Sequence, residues 1–310
     1  MTLTVLFAAS NDNWHHYGTP LKQALTEIFP DVQLVTSAVP ETVDYIVYAP
    51  TSSLQDFTPY THTKAVISLW AGVESIVTND TLTMPLVRMV DPGMTRSMTA
   101  WVVGHVLRYH LGMDAHINNP DNQWKPESPP YIGHRQVCVL GLGALGRAAA
   151  TALRDLGFAV SGWSGSAKTL DGITTYSGQE GLSRALQSAE IVVLLMPDTA
   201  DTENTLNAET LALLPVGAKI INPGRGPLID DAALIEALDS GRVAHATLDV
   251  FRTEPLPQEH PYWAHPNVTV TPHIAAETNA ETATQVIADT IRLSEEGAPL
   301  PNLVDRHRGY

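Results

Sequence analysis

The sequence has almost none of the features that mark secreted or membrane proteins. Its 310 residues include one cysteine, Cys138, which lies between two valines in a strand-like stretch. A single cysteine cannot form an internal disulfide, so we interpret it as a buried, inert thiol in a reducing compartment. No uninterrupted apolar run reaches the roughly 18 residues of a membrane-spanning helix. The chain begins with a strand-like segment and no basic leader, so we expect no signal peptide and a cytoplasmic location.

Positive charge is also scarce. The chain has 18 basic and 33 acidic residues, a formal net charge of −15. Because nucleic acids and anionic membranes repel such a surface, we expect neither as a partner. A small anionic substrate is not excluded, since it responds mainly to its own pocket. The adjacent pair His15-His16 is the only metal-like pattern, and neighbouring side chains rarely reach one ion, so we predict no metal site.

The chain is long enough for two domains, and 44 % of its residues are hydrophobic. In about the first 95 residues, short β-rich stretches alternate with helical or loop segments, which predicts a small α/β unit with a parallel sheet. We expect its first helix to begin at Thr19-Pro20, as N-cap and first helical residue. The strands predicted here are Thr2–Ala8, Val32–Val35, Tyr45–Ala49, Ala65–Leu69 and Leu86–Met89.

The pattern changes after this unit. Apolar residues at helical spacing predict one long helix from Met94 to about Ile117, and the Pro-rich loop Pro120–Pro130 follows it. Beyond the loop, strands and helices alternate in the doubly wound pattern of a parallel sheet. The predicted strands are Gln136–Leu140, Ala159–Trp163, Glu190–Met196, Ala218–Asn222, Val243–Val250 and Asn267–Thr271. The predicted helices are Ala144–Leu156, Ala208–Leu214, Asp230–Asp239 and the terminal Glu277–Glu296.

The strongest motif is a glycine turn between a predicted strand and a predicted helix, with glycines at Gly141, Gly143 and Gly146. In a dinucleotide-binding turn the first glycine lets the chain reverse, the second leaves room for a pyrophosphate, and the third lets the helix pack close to the sheet. The N–H groups of Ala144 and Leu145 then face an anion. Glycine-rich turns also serve plain packing, but the position of this one favours a dinucleotide site.

Polar residues collect at the ends of the later predicted strands. Asn222–Gly226 follows one strand, Asp249 ends the next with Glu254 five residues later, and His273 follows the last. Ligands of open α/β sheets bind beyond the carboxyl ends of the strands. We therefore expect these side chains to meet at the edge that carries the glycine turn.

Arg225, Glu254 and His273 have the chemistry for hydride transfer to a 2-oxo acid. Arginine can bind a carboxylate with its planar fork, and histidine exchanges protons near neutral pH. A carboxylate hydrogen-bonded to the imidazole fixes its tautomer and favours the imidazolium, a role open to Glu254. Each residue also has a simpler interpretation. Arg225 could be an exposed arginine of a turn, Glu254 a solvated loop acid and His273 a structural histidine. Their shared edge favours the catalytic interpretation.

In their order along the chain, these motifs resemble the D-isomer-specific 2-hydroxyacid dehydrogenase family, and within it the glyoxylate/hydroxypyruvate reductase A group. The matching pieces are Gly141–Gly146, Met196–Thr199 with Thr202, Asn222–Gly226, Leu248–Phe251 with Glu254–Leu256, and Thr271–His273. In the first domain, Trp70–Ser75 resembles the family's substrate loop. The segment Asp91–Met94 and the ending Val304–Tyr310 resemble the reductase group.

The resemblance implies a role for each matching residue. Arg225 would bind the 2-oxo acid, and His273, paired with Glu254, would act as acid and base. The backbone N–H groups of the loop Ala71, Gly72 and Val73 would hold the substrate carboxylate. Four further residues of the second domain would contact the cofactor: Pro197, Thr202, Pro223 and Asp249. Asp249 would bind the nicotinamide carboxamide.

The resemblance also implies the domain organisation. Residues 1–95 and 278–310 would form a smaller flavodoxin-like α/β substrate-binding domain built from both chain ends. Residues 96–277 would form the Rossmann dinucleotide-binding domain, with a doubly wound parallel sheet. The long helix 94–117 would join two copies into a homodimer.

One departure from the usual pattern bears on the cofactor. NAD-selective sites carry an acid at the end of the second strand, which binds the ribose 2′-hydroxyl. Here that position is Ser164, and Lys168 follows in a segment without a carboxylate. A 2′-phosphate would meet no repulsion there, so we predict NADPH as the preferred cofactor and NAD as the alternative.

We therefore predict an NADPH-dependent reductase that converts small 2-oxo acids, glyoxylate and hydroxypyruvate first, into 2-hydroxy acids. A dehydrogenase for a larger 2-hydroxy acid, such as a sugar acid or phosphoglycerate, is an alternative within the family. A non-catalytic dinucleotide-sensing protein is an alternative from another class. The filled positions Arg225, Glu254 and His273 argue against the sensing role.

Overall fold

A computed structural model of the chain describes residues 2–119, 121–306 and 308–310. The chain divides into two compact units. Unit 1 contains residues 1–94 and 277–310, and unit 2 contains residues 95–276. Each unit has its own parallel sheet with helices, so the predicted α/β fold class is confirmed. None of the helices formed by the described residues is long and apolar enough to span a membrane.

Unit 1 is built on a five-stranded parallel sheet in the order β2-β1-β3-β4-β5, the flavodoxin-like order. Its strands are β1 (Thr4–Ala8), β2 (Gln33–Val35), β3 (Tyr45–Tyr48), β4 (Ala65–Ser68) and β5 (Leu86–Val87). Its helices are α1 (Asn11–Ile28), α2 (Glu74–Val77) and α9 (Ala280–Glu295), and α3 begins at its last residues. Alternate residues of β3 pack on opposite faces of the sheet, and α1 and α9 cover one of these faces.

Helix α1 begins earlier than we predicted. Its N-cap is Ser10, whose side chain accepts a hydrogen bond from the Asn13 N–H at 3.2 Å, and Pro20 lies inside the helix. A proline there removes one backbone hydrogen bond and costs about 3 kcal/mol. The helix is maintained because Leu21 and Leu25 are fully buried against the sheet. The prediction of a start at Thr19-Pro20 was therefore wrong.

The end of the chain completes unit 1. The N–H of Val304 donates to the Leu86 carbonyl oxygen at 2.9 Å, and the Arg88 N–H donates to Asn302 at 3.1 Å, so the tail lies along β5. The Arg306 guanidinium donates to the carbonyl oxygens of Val77 at 2.9 Å, of Asn79 at 2.6 Å and of Leu82. The tail therefore covers the edge strand and fixes the segment after α2.

Unit 2 is built on a seven-stranded parallel sheet in the order β12-β11-β10-β9-β6-β7-β8, the doubly wound order of a Rossmann domain. Its strands are β6 (Gln136–Leu140), β7 (Ala159–Ser164), β8 (Thr174–Ser177), β9 (Ile191–Leu194), β10 (Ala218–Asn222), β11 (Val243–Leu248) and β12 (Val268–Val270). Its helices are α3 (Pro92–His110), α4 (Met113–Ile117), α5 (Ala144–Asp155), α6 (Gly178–Gln187), α7 (Ala208–Ala212) and α8 (Asp231–Asp239). Helices α3 and α5 pack on one face of the sheet, and α6, α7 and α8 pack on the other.

Two features of unit 2 differ from the prediction. The long helix predicted for 94–117 is interrupted, because Gly112 has a φ of 63° between α3 and α4. This left-handed residue ends α3 in the way that a glycine commonly ends a helix. The edge strand β8 and helix α6 were missed, although the β-branched and aromatic residues Thr174–Tyr176 are typical of a strand. Pro120, in the predicted loop after α4, lies outside the described residues.

Candidate active site

The glycine turn joins β6 to α5 at the carboxyl edge of the unit 2 sheet. Gly141 has a φ of 101°, a backbone conformation that other residues rarely adopt. A Cβ at Gly146 would overlap the Gly141 carbonyl oxygen, so the third glycine lets helix and turn pack together. A Cβ at Gly143 would meet no protein atom within 4 Å, and Gly143 and Ala144 are exposed. The open space beside Gly143 lies where a pyrophosphate is expected. Leu145, the next residue of the predicted site, is only partly exposed.

The end of β7 carries the residues predicted to determine whether NADPH or NADH is preferred. Ser164 is buried, and its hydroxyl donates to the Ser166 carbonyl oxygen at 2.7 Å, which closes a tight turn. Gly165, Ser166 and Lys168 are exposed on this turn. The segment 164–168 contains no carboxylate, and its exposed polar side chains are those of Ser166 and Lys168, which can bind an anion.

His273 and Glu254 form a hydrogen-bonded pair beyond the ends of β12 and β11. The Nδ1 atom of His273 lies 2.7 Å from Oε2 of Glu254. The other carboxylate oxygen, Oε1, accepts the Phe251 N–H at 2.9 Å, so the backbone orients the carboxylate. The side chains are 52 % and 36 % exposed, and none of the described residues forms a hydrogen bond with Nε2 of His273. This is the geometry of an imidazole whose tautomer is fixed by a carboxylate.

Asp249 holds the turn on which His273 lies. Its carboxylate is fully buried and accepts hydrogen bonds from the Thr271 hydroxyl at 2.6 Å and from the N–H groups of Ile274 and Ala275, each at 2.9 Å. The His273 N–H donates to the Asp249 carbonyl oxygen at 2.8 Å, and His273 has a φ of 54°. A histidine rarely adopts a left-handed conformation, and these contacts stabilise it. The contact of Asp249 with a nicotinamide carboxamide stays a prediction.

Arg225 lies in the turn after β10. The buried side chain of Asn222 donates to the Arg225 carbonyl oxygen at 2.8 Å and accepts the Gly224 N–H at 3.1 Å. The Arg225 guanidinium donates to the Gly224 carbonyl oxygen at 2.7 Å. A Cβ at Gly226 would overlap the backbone of Phe251, so this turn packs directly on the loop that carries Glu254. Arg225, Glu254 and His273 thus follow three neighbouring strands at one edge.

The other predicted cofactor residues of unit 2 lie at the same edge. Pro197 and Thr202 belong to the loop after β9, where the Thr202 hydroxyl donates to the Pro197 carbonyl oxygen at 2.7 Å and accepts the Thr199 N–H at 2.9 Å. Pro223 is buried in the turn of Arg225. The hydroxyl of Thr202 therefore shapes its own loop, and its contact with a cofactor stays a prediction.

The predicted substrate loop belongs to unit 1 and follows β4. Ser68 Oγ accepts the Trp70 N–H at 3.0 Å, and the Thr278 hydroxyl donates to the Leu69 carbonyl oxygen at 3.0 Å. In the part of the chain that the structure describes, the N–H groups of Ala71, Gly72 and Val73 have no protein acceptor. Side chains near the start of the loop thus fix it, and its own N–H groups are available to a ligand.

Sequence reasoning missed the residues that support this site. Asn222 and Arg252 were given no role, and Asp249 was considered only for the cofactor. The signal for Asn222 was present, since an asparagine directly before Pro-Gly is typical of a side chain that caps its own turn. No local signal identifies Arg252, because its partners lie in two other loops. Among the described residues, no group of three or more His, Cys, Asp or Glu side chains could hold a metal ion.

Residues 103–275 match the family described as D-isomer specific 2-hydroxyacid dehydrogenase, NAD binding domain. The chain is also 40 % identical to the glyoxylate/hydroxypyruvate reductase A of Yersinia enterocolitica over 255 residues, 80 % of this chain and 82 % of that protein. The chain belongs to the D-isomer specific 2-hydroxyacid dehydrogenases. As a member of this family it is an oxidoreductase.

Solved structures of the family agree with this assignment. The chain resembles a D-isomer specific 2-hydroxyacid dehydrogenase from Xanthobacter autotrophicus, solved in complex with NADPH and MES, with a TM-score of 0.92, 39 % identity and complete coverage of both chains. It also resembles an NADPH-dependent glyoxylate/hydroxypyruvate reductase from Sinorhizobium meliloti, solved with NADP and sulfate, with a TM-score of 0.87, 32 % identity and complete coverage of both chains. The predicted family resemblance is confirmed.

Proposed function

We propose that this dehydrogenase reduces small 2-oxo acids, glyoxylate and hydroxypyruvate first, to 2-hydroxy acids with NADPH. The observation that carries the proposal is the 2.7 Å contact between His273 and Glu254, at the sheet edge that also carries Arg225 and the glycine turn. A cation for the carboxylate, a proton donor for the carbonyl oxygen and a dinucleotide site are what this reaction requires.

In the proposed mechanism the chain's own residues bind the substrate and move one proton. Arg225 binds the 2-oxo acid with its planar guanidinium. The Nε2 atom of His273 donates a proton to the carbonyl oxygen as the alcohol forms, while Glu254 holds Nδ1 and stabilises the charged imidazole. The reduced nicotinamide, when bound, supplies the hydride to the carbonyl carbon.

We propose a substrate-binding role for unit 1, in addition to that of Arg225, and a dinucleotide-binding role for unit 2. Residues 1–95 with 278–310 bind the substrate, and the N–H groups of Ala71, Gly72 and Val73 hold its carboxylate. Residues 96–277 bind the dinucleotide, with contacts from Pro197, Thr202, Pro223 and Asp249 added to those of the glycine turn. The availability of the loop N–H groups supports the first assignment, and the space at Gly143 supports the second.

The fit of the turn 164–168 supports NADPH rather than NADH. A 2′-phosphate would meet the exposed Ser166 and Lys168 on the turn that the Ser164 hydroxyl closes. The reductase from Sinorhizobium meliloti is NADPH-dependent, and the Xanthobacter structure contains NADPH. NADH is the alternative, and it lacks the phosphate that these side chains would bind.

The proposal is tested by following NADPH oxidation with 2-oxo acids of rising size. We expect the highest kcat/KM with glyoxylate or hydroxypyruvate, lower values with larger acids, and a lower kcat/KM when NADH replaces NADPH. A maximum at a sugar acid or phosphoglycerate derivative would favour the larger-substrate alternative. No turnover of any 2-oxo acid, together with tight NADPH binding, would favour a dinucleotide-sensing protein.

A homodimer joined through the segment 94–117, and a cytoplasmic location, stay predictions from the sequence. The interruption at Gly112 changes the form of that segment but leaves α3 with 19 residues. Exposed apolar side chains on the segment, including Ile117 and Met113, are compatible with a covered surface. Sedimentation of the purified protein at several concentrations tests the dimer.

A further inference from the structure

Arg252 lies on the loop of Glu254, and its side chain reaches the segment that follows Arg225. It follows Phe251, whose N–H binds Glu254, and it precedes Glu254 by two positions. Its side chain turns away from that loop. The guanidinium donates to the carbonyl oxygens of Ile229 at 2.8 Å and Pro227 at 3.2 Å, in the segment directly after the turn of Arg225. One side chain thus joins two strand-end loops.

The same guanidinium also reaches the loop after β9. It contacts the Asn204 side-chain oxygen and lies 3.4 Å from a carboxylate oxygen of Glu203. Its Nε lies 3.9 Å from Asp231. Two carboxylates therefore face the positive charge, and the side chain is 32 % exposed. Because two carboxylates already face its positive charge, Arg252 is poorly suited to bind a substrate carboxylate, and its contacts are those of a structural link.

The backbone contacts explain why such a link affects both catalytic loops. A Cβ at Gly226 would overlap the Phe251 carbonyl group and the Arg252 nitrogen, so the two loops touch through their backbones without a side chain between them. Because the two backbones are this close, a shift of one loop changes the space available to the other. The strands before the two loops are joined by the Asp249 N–H, which donates to the Asn222 carbonyl oxygen at 3.0 Å, and beyond them Arg252 adds its hydrogen bonds to Ile229 and Pro227.

We propose that Arg252 is a positioning residue that holds the turn of Arg225 against the loop of Glu254. The inference rests on the proposed function, because it takes Arg225 as the substrate-binding arginine and Glu254 as the partner of His273. Catalytic groups must be held within fractions of an ångström of their working positions, so loosening this contact weakens substrate binding and turnover together. The planar guanidinium binds several acceptors in one plane, which a lysine cannot do.

The test compares Arg252→Ala, Arg252→Lys and the wild-type enzyme by steady-state kinetics. For Arg252→Ala we expect the KM for the 2-oxo acid to rise about tenfold and kcat to fall about tenfold. For Arg252→Lys we expect KM and kcat values between those of Arg252→Ala and the wild type, because the lysine ammonium group can still donate to one of the acceptors. The Kd for NADPH should rise less than the KM for the 2-oxo acid, because the glycine turn does not contact Arg252, whereas Thr202 and Pro223 lie in loops next to its contacts.

A matched control is Arg184→Ala. Arg184 is also in unit 2, but its side chain is 65 % exposed and pairs with Glu180 on its own helix. We expect wild-type kinetics for this variant. A general loss of stability would reduce the active fraction and the Tm of Arg252→Ala and leave its KM unchanged, and that result would overturn the positioning role.

Amide hydrogen exchange separates this inference from the proposed function. In Arg252→Ala we expect faster exchange in the segments 224–230 and 250–254 and unchanged exchange in 141–147. If Arg252→Ala and the wild type are equally protected in all three segments, the inference is overturned, whether or not the wild-type enzyme reduces 2-oxo acids.

Absence of wild-type turnover, with the expected exchange pattern, overturns the proposed function alone. If Arg252→Ala does not fold, Arg252→Lys and Arg252→Gln decide: a raised KM supports the role, and wild-type KM in both overturns it.

Discussion

The loops of the two units are held in different ways. In unit 2 the loops after neighbouring strands bind one another: Asp249 holds the turn of His273, and Arg252 holds the segment after Arg225. In unit 1 the loop after β4 is held by residues distant in the chain. Thr278 binds Leu69 across 209 positions, and Arg306 binds the segment after α2 across more than 220. The loops of unit 2 are therefore held by one another, whereas the loops of unit 1 are held by residues near the end of the chain.

This difference predicts which changes affect the chemical step and which affect binding. Substitutions in unit 2 should act on hydride and proton transfer, on the cofactor or, near Arg225, on kcat and the KM for the substrate together. Substitutions in the terminal segment of unit 1 should act on the KM for the substrate or on stability. Four predictions test the division, from the largest expected effect to the smallest.

Replacing His273 with alanine should have the largest effect. His273→Ala removes the proposed proton donor, and we expect kcat to fall by about 10²- to 10⁴-fold while the fold is retained. The histidine control comes from unit 1: His16 is exposed and its Nδ1 lies 2.7 Å from the carbonyl oxygen of Asp12 in its own helix, so His16→Ala should keep the wild-type kcat. Near-normal turnover by His273→Ala would falsify the assignment of the proton donor.

The two glycines of the turn should respond differently to the same methyl group. At Gly143 a Cβ meets no protein atom, so Gly143→Ala should fold normally and still raise the Kd for NADPH by about tenfold or more, because the methyl fills the space expected for the pyrophosphate. At Gly146 a Cβ overlaps the Gly141 carbonyl oxygen, so Gly146→Ala should lose both cofactor binding and stability. NADPH fluorescence titration and thermal melts measure both effects. Wild-type NADPH affinity in Gly143→Ala would place the pyrophosphate elsewhere.

Arg306 tests the dependence of unit 1 on its terminal tail. Arg306→Ala leaves the carbonyl oxygens of Val77 and Asn79 without this donor, and the loop before α2 should become less ordered. We expect the KM for the 2-oxo acid to rise about fivefold with kcat within about twofold of wild type. The control is Arg308→Ala, since Arg308 is 70 % exposed and pairs with Asp305 in its own turn. If both variants have the same KM, the tail does not influence substrate binding.

Asp91 should affect stability and leave turnover unchanged. Its side chain is 1 % exposed and accepts the N–H groups of Met94 at 2.8 Å and of Gly93 and Asn279 at 3.1 Å. Burial opposes its charge, but these bonds and one from the Thr282 side chain outweigh that effect and lower the pKa of Asp91 below its usual 3.8. We expect Asp91→Asn to reduce the free energy of unfolding by about 1–3 kcal/mol at neutral pH.

The sign of the pH dependence follows from the lowered pKa. The contribution of Asp91 is present above the unfolded-state pKa near 3.8 and is lost as the pH falls through the lower folded-state value. Acid unfolding of the wild type should therefore be steeper below pH 4 than that of Asp91→Asn. The control Asp31→Asn changes an exposed carboxylate and should melt like the wild type. Equal acid unfolding of Asp91→Asn and the wild type would contradict the role of this carboxylate.

Local patterns predicted much of the fold. The apolar and β-branched runs identified most strands, and strand–helix alternation indicated two parallel sheets, because side-chain periodicity directly reflects which faces are buried. The two errors had different causes. Pro20 is tolerated inside α1, against the local rule, because Leu21 and Leu25 are buried. Strand β8 was missed because a short edge strand has little periodicity.

By itself the sequence determined the family, the glycine turn and the residue types required for reduction of a 2-oxo acid, since each of these lies in a short contiguous motif. Only the tertiary structure decided how the motifs are held. The left-handed His273 needs the buried Asp249, and the turn of Arg225 needs Arg252, whose partners are more than 20 residues away. Such contacts form only after the strands have paired in order, so no local pattern records them.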